Sequence, residues 1–317
     1  MAKMTLKNVG KQYPNGFEAV KNVSVEIEDK EIVVFMGPSG CGKSTLFRML
    51  AGLETITSGE IIIGDTVVNE LEPKDRDIAM LFENYALYPT LSVYENLAFG
   101  LRLRECGAEE IEERVLETAQ IMNLTHLLNR KPRALSEIQQ HRLAMGRAII
   151  CRPKVLLMNE PFMYIPQKYR KALYAELVNL QKRLGITIAY VSNTYEEACR
   201  IGNKIVIMNK GNVVQMGTAK EIERHPNNML VAGYFGKGRM KFRDVVCKVQ
   251  DGKVILDAEV YRVELPEEKG QKLLDAGYEG KTVVMGLRQE DEYEEILEID
   301  GEKVFVFDKE TELIIAD

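Results

Sequence analysis

Residues 37–45, which read GPSGCGKST, constrain the fold of this chain more than any other segment. They match the pattern G-x-x-x-x-G-K-[S/T] and directly follow an apolar run at 32–36 that has the length of a buried strand. Leu46, Leu50 and Leu53 then recur at roughly helical spacing. A strand, a glycine-rich turn and a helix in this order curl successive backbone N–H groups into one concavity, because glycine accepts left-handed conformations. The segment therefore predicts a binding loop for a di- or triphosphate.

Each residue of this loop has a predicted role in nucleotide binding. Backbone N–H groups and the positive end of the following helix hold the phosphates, and Lys43 reaches the β- and γ-phosphates. Ser44 offers its hydroxyl to Mg²⁺. The loop by itself leaves GTPases, kinases and transport ATPases open as functional classes. The residues predicted to contact nucleotide are Gly37, Pro38, Ser39, Gly40, Cys41, Gly42, Lys43, Ser44 and Thr45.

Composition excludes several other classes of protein. The chain has 317 residues, of which 45% are hydrophobic and 28% are charged, as is typical of globular domains. Its formal net charge of −6 and pI of about 5.5 argue against a broad nucleic-acid face, so no nucleic-acid partner is expected. No apolar stretch reaches the ~18 residues of a membrane-spanning helix, and the start MAKMTLKNVG does not resemble a signal peptide. We expect a soluble protein that is not exported.

Cysteine and histidine usage limits the kinds of metal site. The 5 cysteines are scattered and form no C-x-x-C pair, which favours reduced thiols over disulfides or zinc. Only 3 histidines are present, at 126, 141 and 225, and this number excludes a His-rich metal site.

Short apolar runs alternate with longer helical patterns before Gly233. Helical periodicity with dense charge covers 109–122 and 168–184. This alternation predicts an α/β fold with a largely parallel sheet. The predicted strands beside 32–36 are 155–158, 186–191 and 205–208.

The character of the sequence changes near Gly233. Residues 234–240 are glycine-rich and basic, which is typical of a linker. Strand-length apolar or alternating runs follow, at 245–257, 281–288 and 301–317. We predict a first domain at 1–234 and a small, mostly β domain at 235–317.

Four further motifs identify the family that this chain resembles. Tyr13 lies in KQYP ahead of the phosphate loop, 82–89 read FENYALYP, 134–142 read ALSEIQQHR, and 155–161 read VLLMNEP. This series resembles the ATPase subunit of ABC importers, and most closely the maltose, multiple-sugar and glycerol-3-phosphate importer ATPases. The resemblance covers essentially the whole chain, since AGYFG at 232–236 is similar to the join with that subfamily's C-terminal domain.

The resemblance implies a P-loop ABC-type ATPase domain with a helical subdomain at about 90–150, followed by an OB-like β domain. In this family two ATPase subunits enclose two ATP molecules, each between the phosphate loop of one subunit and the signature motif of the other. ATP and Mg²⁺ are therefore the implied cofactors. The resemblance also implies that Tyr13 stacks on adenine, with an ordinary aromatic residue at the end of a strand as the alternative. It implies further that Ser136 and Gln139 of the signature contact the nucleotide of the partner subunit.

Partners and location follow from the same resemblance. Transporter membrane subunits are expected to dock on 86–88 and on the helical segment, with an ordinary helical insert as the alternative. A second ATPase subunit, identical or different, is the expected dimer partner. The protein is then expected in the cytoplasm, peripheral at the inner face of the cell membrane. The β domain is shorter than in the family, with an internal portion missing between Arg288 and Glu302.

Five motifs depart from the family pattern, whereas the phosphate loop matches it. Glu83 stands where Gln is usual, Asn159 stands where Asp ends the Walker B strand, and Asn193 replaces the switch histidine. The signature, usually LSGGQ, reads LSEIQ at 135–139. The loop after the Walker B strand, usually S-x-L-D, reads MYIP at 163–166.

These departures change the predicted catalytic and metal-binding groups. Glu160 keeps the position of the family's water-activating base, with a purely structural carboxylate as the alternative. Asn193 cannot carry a positive charge, and the role of an ordinary loop residue is favoured for it. Asn159 offers Mg²⁺ only an amide oxygen, which is a weaker ligand than a carboxylate. The predicted catalytic residues are Glu160, Asn193 and Glu83, and the predicted metal ligands are Ser44, Glu83 and Asn159.

The signature change opposes hydrolysis most directly. Glu137 brings a negative charge towards the partner's γ-phosphate, and Ile138 brings a β-branched side chain where the family has glycine. Two functions stay open: an ATP-hydrolysing subunit of a sugar-type importer, and a nucleotide-binding pseudoenzyme that serves an intact ATPase subunit as a structural or regulatory partner. Family resemblance favours the first function, and the residue chemistry favours loss of hydrolysis.

Overall fold

The computed structural model describes residues 2–82, 84–258, 262–288 and 299–317. The chain divides into two compact units, Met1–Val213 and Val214–Asp317. Within the described ranges, no helix is both long and apolar enough to cross a bilayer.

Two sheets form the framework of the first unit. Its strands are β1 (Met4–Gln12), β2 (Glu18–Ile27), β3 (Ile32–Met36), β4 (Ser58–Ile63), β5 (Thr66–Val67), β6 (Ile78–Leu81), β7 (Val155–Asn159), β8 (Thr187–Val191) and β9 (Lys204–Asn209). The first sheet is antiparallel, with the order β2-β1-β4-β5. The second has a parallel core with the order β9-β3-β8-β7-β6. The next strand, β10 (Asn212–Gly217), contains the boundary between the two units.

The parallel strands explain the continuous apolar runs of the sequence. Every residue of β3 is buried, and β8 is buried throughout as well. A strand of a parallel sheet is covered on both faces, so its residues are apolar without alternation. Phe35 of β3 meets Phe47 edge to face, with ring centroids 5.4 Å apart. The four predicted strands of this sheet and the predicted α/β class are confirmed.

Helices connect the strands of the first unit. They are α1 (Lys43–Leu50), α2 (Val93–Leu103), α3 (Ala108–Ile121), α4 (Glu137–Ile149), α5 (Gln167–Leu184) and α6 (Tyr195–Ile201), with short 3₁₀ turns at Pro73–Asp75, Thr125–Leu127 and Pro132–Ala134. Ser92 begins α2 with a capping box in which Ser92 and Glu95 bind each other's backbone N–H groups. The segment 90–150, where a helical subdomain is predicted, contains α2, α3 and α4.

Strand register brings three chain segments to one edge of the parallel sheet. Phe35 of β3 pairs with Val191 of β8, and Val191 pairs with Asn159 of β7. These three residues therefore form one row, and the segments that follow them leave the sheet together. The phosphate loop, Glu160 and Asn193 all follow this row within a few residues.

The second unit is built on an antiparallel sheet. Its elements are α7 (Ala219–Arg224), α8 (Met229–Tyr234), β11 (Met240–Gln250), β12 (Lys253–Asp257), β13 (Arg262–Glu264), α9 (Glu267–Asp275), β14 (Thr282–Arg288), a 3₁₀ turn at Gly301–Lys303, β15 (Val304–Phe307) and β16 (Ile314–Ala316). The strand order is β13-β12-β11-β14-β15-β16. A mostly β second part is confirmed, whereas α9 was not predicted.

The second unit begins earlier than the predicted boundary at residue 235. The backbone N–H of Met229 donates to Glu312 O, and that of Ile314 donates to Asn227 O. Ala232 of α8 packs in one cluster with Phe307. These contacts tie the residues before 235 to the C-terminal strands, so the compact unit starts at Val214.

Candidate nucleotide-binding site

The phosphate loop lies between β3 and α1, as predicted. Gly37 has φ 149° and Gly42 has φ 108°, both in the region that favours glycine. A Cβ atom built on Gly37 collides with the carbonyl oxygen of Met208, and one built on Gly42 collides with that of Ala19. Both glycines are therefore required by backbone that passes close to the loop.

Lys43 is held against the carbonyl side of this loop. Its side chain is buried, and its Nζ atom donates to Gly37 O at 2.6 Å and to Pro38 O at 3.2 Å. The Sγ atom of Cys41 lies 3.6 Å from the same Nζ atom. The ammonium group is thus fixed at the start of α1, where the helix dipole and the free N–H groups favour an anion.

The outer residues of the phosphate loop are accessible to solvent. Ser39, Gly40 and Ser44 are exposed, and Thr45 is half-buried. Apart from Gly40 itself and its two chain neighbours, no described residue has an atom within 4 Å of a Cβ atom built on Gly40. An open concavity lined by N–H groups and one fixed ammonium fits the phosphates of a nucleotide.

Tyr13 belongs to a small aromatic and charged cluster. Its ring is stacked on Phe17 with centroids 6.5 Å apart, and Lys11 Nζ lies 5.2 Å from its centroid. Lys11 is paired with Glu54 at 2.7 Å, and the Tyr13 hydroxyl donates to Glu54 at 3.4 Å. The hydrogen bond from Lys11 lowers the pKa of Glu54, which keeps this carboxylate ionised.

Phe17 was not predicted as a site residue. Its side chain is 59% exposed although it is large and apolar, and it precedes Ala19, whose carbonyl approaches Gly42 of the phosphate loop. The signal in the sequence was a second aromatic residue just beyond the turn at Asn15 and Gly16. Tyr13 and Phe17 together offer an aromatic face for a flat heterocycle.

Asn159, Glu160 and Asn193 all lie at the end of β7 or just beyond β7 and β8, at the edge of the sheet that carries the phosphate loop. Among the described residues, the buried Oδ1 atom of Asn159 has no hydrogen-bond partner. Glu160 has φ 47°, and its backbone N–H donates to Val191 O at 3.2 Å. A positive φ at a non-glycine residue is a sign of a constrained, often functional position. Asn193 is exposed, so its short amide reaches into solvent.

The turn that carries Asn193 is anchored by a buried acid. The hydroxyl of Ser192 donates to Glu197, and that of Tyr190 donates to Glu197 at 2.5 Å. Burial raises the pKa of Glu197. The Ser192 hydroxyl also accepts the backbone N–H of Thr194 at 3.1 Å, which fixes the turn on both sides of Asn193.

β6 ends at the same edge of the parallel sheet, since Leu81 pairs with Met158 of β7. Glu83, predicted as a catalytic and metal-binding residue, lies outside the described residues. Tyr85 and Ala86 have φ 57° and 43°, and Arg147 of α4 donates to Ala86 O at 2.5 Å. The guanidinium of Arg147 also lies 4.3 Å from the centroid of Tyr88. Sequence reasoning missed Arg147, because a lone arginine near the end of a helix carries no distinguishing pattern.

The signature residues form the start of α4. Ser136 caps α4, and its backbone N–H donates to Gln139 Oε1 at 2.9 Å while its hydroxyl accepts the N–H of Gln139 at 3.4 Å. Glu137 is exposed in the first helical turn.

The predicted metal ligands do not form a self-sufficient metal site. Within the described ranges, no cluster of three His, Cys, Asp or Glu side chains could hold a metal ion. Ser44 offers an exposed hydroxyl, and Asn159 offers an unpaired amide oxygen. These oxygen donors fit Mg²⁺ that is held mainly by phosphates and water.

Comparison with known proteins agrees with this architecture. The ABC transporter family matches residues 20–163. The oligosaccharides import ATP-binding protein MsmX of Bacillus subtilis is 43% identical over 96% of this chain and 82% of its own length. The sn-glycerol-3-phosphate import ATP-binding protein UgpC of Rhodopseudomonas palustris is 46% identical over 92% of this chain and 74% of its own length.

A solved structure shows the same fold. The dimeric ATP-binding cassette MJ0796, bound to ADP and Pi in a post-hydrolysis state, is 30% identical with a TM-score of 0.60. The match covers 68% of this chain and 98% of that one. With its phosphate loop, its parallel sheet and its similarity to full-length relatives, this chain belongs to the family of ABC transporter ATP-binding proteins.

Proposed function

We propose that this chain is the ATP-binding subunit of an ABC importer for sugars or related small solutes, and that it binds MgATP but hydrolyses it weakly or not at all. Relatives named for oligosaccharide and glycerol-3-phosphate import match nearly the whole chain. Nearly the whole chain therefore has a counterpart in ATP-binding proteins named for this kind of import, which supports the same kind of role here.

Retained ATP binding rests on the phosphate loop. The backbone N–H groups of 37–45 and the ammonium of Lys43 would hold the phosphates, while Tyr13 would stack on adenine. Ser44 and Asn159 would face Mg²⁺ with a hydroxyl and an amide oxygen, and Glu83 would add a carboxylate. Bound Mg²⁺ supplies neutralisation of phosphate charge. All of these groups except Glu83 lie in described parts of the first unit.

Within the nucleotide site of this chain itself, weak hydrolysis rests on the pair of neutral amides at the edge of the sheet beside the phosphate loop. Glu160 would take a proton from an attacking water, as a carboxylate can. Asn159 supplies no carboxylate beside it, and Asn193 supplies no imidazole that could donate a charged hydrogen bond. Charge-assisted hydrogen bonds are about twice as strong as neutral ones. The neutral amides at this edge would therefore stabilise the charge that develops in the transition state less well.

The signature helix argues for a different dimer partner. Glu137 is exposed in the first turn of α4, where the family brings the partner's γ-phosphate. A carboxylate there repels that phosphate. An intact ATPase subunit would instead offer its own glycine-rich signature to the nucleotide on this chain. We infer that this chain pairs with an intact ATPase subunit on transporter membrane subunits, at the inner face of the cell membrane.

The second candidate is a nucleotide-binding pseudoenzyme that acts only as a structural or regulatory partner of the intact subunit. The exposed Glu137 favours it, because two copies of this chain would place two such carboxylates at the two nucleotide sites. In this role ATP binding would set the assembly state without turnover.

Purification of the tagged full chain from detergent-solubilised membranes tests the proposal. We expect recovery of transporter membrane subunits and of a second ATPase subunit that has Asp and His at the positions matching Asn159 and Asn193. Glu160→Gln in this chain should leave transport by the complex nearly unchanged, whereas the matching change in the second subunit should abolish it. Recovery of this chain without membrane subunits, and without bound MgATP, would overturn the proposal.

A further inference from the structure

Glu197 of α6 is a buried acid outside the set of groups that would contact MgATP. The residue is only 7% exposed, and two hydroxyl groups donate to its carboxylate. Tyr190 donates to the Oε1 atom at 2.5 Å, and Ser192 donates to the Oε2 atom. Both donors are fully buried, at the end of β8 and just after it. Each carboxylate oxygen therefore holds one residue of the segment that leaves the sheet beside the phosphate loop.

Ser192 connects this acid to the neighbouring chain segments. Its backbone N–H donates to Phe35 O of β3 at 3.1 Å, two residues before the phosphate loop. Its hydroxyl accepts the backbone N–H of Thr194 at 3.1 Å. The carbonyl of the preceding Val191 accepts the backbone N–H of Glu160 at 3.2 Å. The turn is thus fixed both to the strand that precedes the phosphate loop and to the segment that follows β7.

Asn193 differs from both of its neighbours, because its donor groups are available to a ligand. The residue is exposed, and within the described ranges neither its backbone N–H nor its side-chain amide takes part in a hydrogen bond. The backbone N–H groups of Ser192 and Thr194, in contrast, are both bonded. A donor on a fixed turn loses little conformational freedom when it binds a ligand. Asn193 is therefore a donor held in place at the edge that carries the phosphate loop.

A carboxylate suits position 197 because it accepts two hydroxyl hydrogens at once. The Ser192 hydroxyl has a second acceptor within reach, Thr194 O at 3.3 Å. A hydroxyl has one hydrogen to donate, so it serves only one of these acceptors at a time. Without an acceptor on residue 197, the Ser192 hydroxyl would turn to Thr194 O. The turn would then lose its attachment to α6.

The surroundings of Glu197 are costly for an acid that only fills space. Burial raises its pKa and the charge of Glu160 acts in the same direction, whereas its two hydroxyl partners and the charge of Arg170 act to lower it. A buried carboxylate costs free energy unless it is hydrogen-bonded, and an apolar side chain of the same length would fill the space without that cost. The contact with Ser192 therefore explains the acid better than packing does.

We propose that Glu197 is a positioning residue for the terminal phosphate of ATP: through Ser192 it holds the turn so that the side-chain amide of Asn193 donates to the γ-phosphate. This inference rests on the proposed function, in which Asn193 lies beside the nucleotide. ADP lacks the phosphate that this amide would contact, so binding of ADP does not depend on Glu197. The chain would then distinguish ATP from ADP although it hydrolyses ATP weakly or not at all.

Competition of ATP and of ADP against the fluorescent probe MANT-ADP, with Mg²⁺ and the full chain, tests the proposal. The quantity of interest is the preference for ATP, the ratio of the Kd of ADP to the Kd of ATP. Glu197→Met keeps the length of the side chain but removes both acceptors, and Ser192→Ala removes the hydroxyl. We expect each variant to lower the preference about threefold to tenfold, the range for loss of one hydrogen bond, with the affinity for ADP unchanged.

Control variants separate positioning from a general effect on the fold. Glu196→Gln changes the exposed carboxylate next to Glu197 and should leave the preference unchanged. Tyr190→Phe removes the other hydroxyl from Glu197 without altering Ser192, so it should also leave the preference unchanged.

A double variant identifies the residue through which Glu197 acts. Asn193→Ala should lower the preference for ATP as much as Glu197→Met does. The two changes together should lower it no further, because both remove the same contact with the γ-phosphate.

Several results would overturn the proposal. These are an unchanged preference in both Glu197→Met and Ser192→Ala with their folds verified by circular dichroism, an equal loss of affinity for ATP and ADP, and a further loss in the double variant. Equal affinity of the wild type for ATP and ADP would refute this proposal alone. A wild type that binds neither nucleotide would refute the proposed function together with it.

Discussion

Asn159, the last residue of β7, pairs with Val191 of the neighbouring parallel strand β8, and Asn193 lies two residues after Val191. On the other side of β8, Val191 pairs with Phe35 of β3, and the phosphate loop leaves the same edge of the sheet just after β3. The two neutral amides therefore leave the sheet at the same edge as the phosphate loop. This relationship is the basis for separating ATP binding from ATP hydrolysis.

Lys43→Ala is expected to weaken MgATP binding about 10- to 100-fold, because one charge-assisted contact to phosphate contributes about 1.5–3 kcal/mol. Isothermal titration calorimetry with the full chain measures the affinity. Lys74→Ala, which changes an exposed lysine in a surface ion pair with Glu72, should leave it unchanged. Equal affinity of wild type and Lys43→Ala would contradict the assignment of the phosphate loop.

The aromatic pair at Tyr13 and Phe17 is expected to bind adenine. Tyr13→Ala should weaken ATP binding about tenfold, since stacking on a base contributes about 1–3 kcal/mol, and Phe17→Ala should have a smaller effect of the same sign. Tyr13→Phe keeps the ring and should retain affinity. Competition of MANT-ATP with ATP measures all three variants, and unchanged affinity in both alanine variants would rule out this face.

Stability is expected to depend on pH through His141. Burial lowers its folded pKa to about 4, below the ordinary value near 6.5, so the unfolded chain binds more protons between these values and stability falls as the pH decreases. The free energy of unfolding contributed by His141 falls by about 2 kcal/mol between pH 7 and pH 5. His141→Phe should lose that much less stability over this interval, by urea unfolding followed by circular dichroism.

His126→Phe is the matched control, because His126 is exposed. It should lose as much stability between pH 7 and pH 5 as the wild type does. Parallel pH profiles for wild type and His141→Phe would show that His141 is not buried as described.

Much of the first unit could be predicted from sequence because its signals are local. The phosphate loop requires glycines at fixed spacing, and buried parallel strands read as short apolar runs such as 32–36. The position of Asn159 beside Asn193 then follows from adjacent parallel strands.

Other features depend on contacts that are distant in sequence. Helix α9 has few apolar residues, and its Lys269 is buried because Nζ donates to the carbonyls of Glu302 and Val304 at 2.8 and 3.0 Å. The row of Tyr85, His141 and Phe162 comes from three separate segments, none of which carries a pattern that indicates the others. The early start of the second unit depends likewise on pairing of 227–229 with the last strands.

Restoring the family residues is expected to recover hydrolysis in a definite order. Asn159→Asp with Asn193→His should recover little, because in the proposed dimer Glu137 and Ile138 would still oppose closure on the nucleotide. Glu137→Gly with Ile138→Gly should also recover little alone. The quadruple variant should exceed the sum of both pairs, as expected for residues that act as a unit. Steady-state ATPase rates, with size-exclusion chromatography in ATP, measure this.

Full activity of the variant that carries only Asn159→Asp and Asn193→His would show that the signature is not the main cause of weak hydrolysis. A folded quadruple variant without activity would instead place the defect at Glu83 and in the loop at 163–166. Both outcomes would contradict the expected order of repair.

The steady-state ATPase rate of the purified full chain, measured with saturating MgATP, tests the separation of binding from hydrolysis most directly. Loss of one preorganised transition-state contact costs about 10²–10³ in rate, so we predict turnover below about 0.1 s⁻¹ while calorimetry on the same sample shows bound ATP. Glu160→Gln serves as the background control. Turnover near the ordinary enzyme median of about 10 s⁻¹, abolished by Glu160→Gln, would contradict the account.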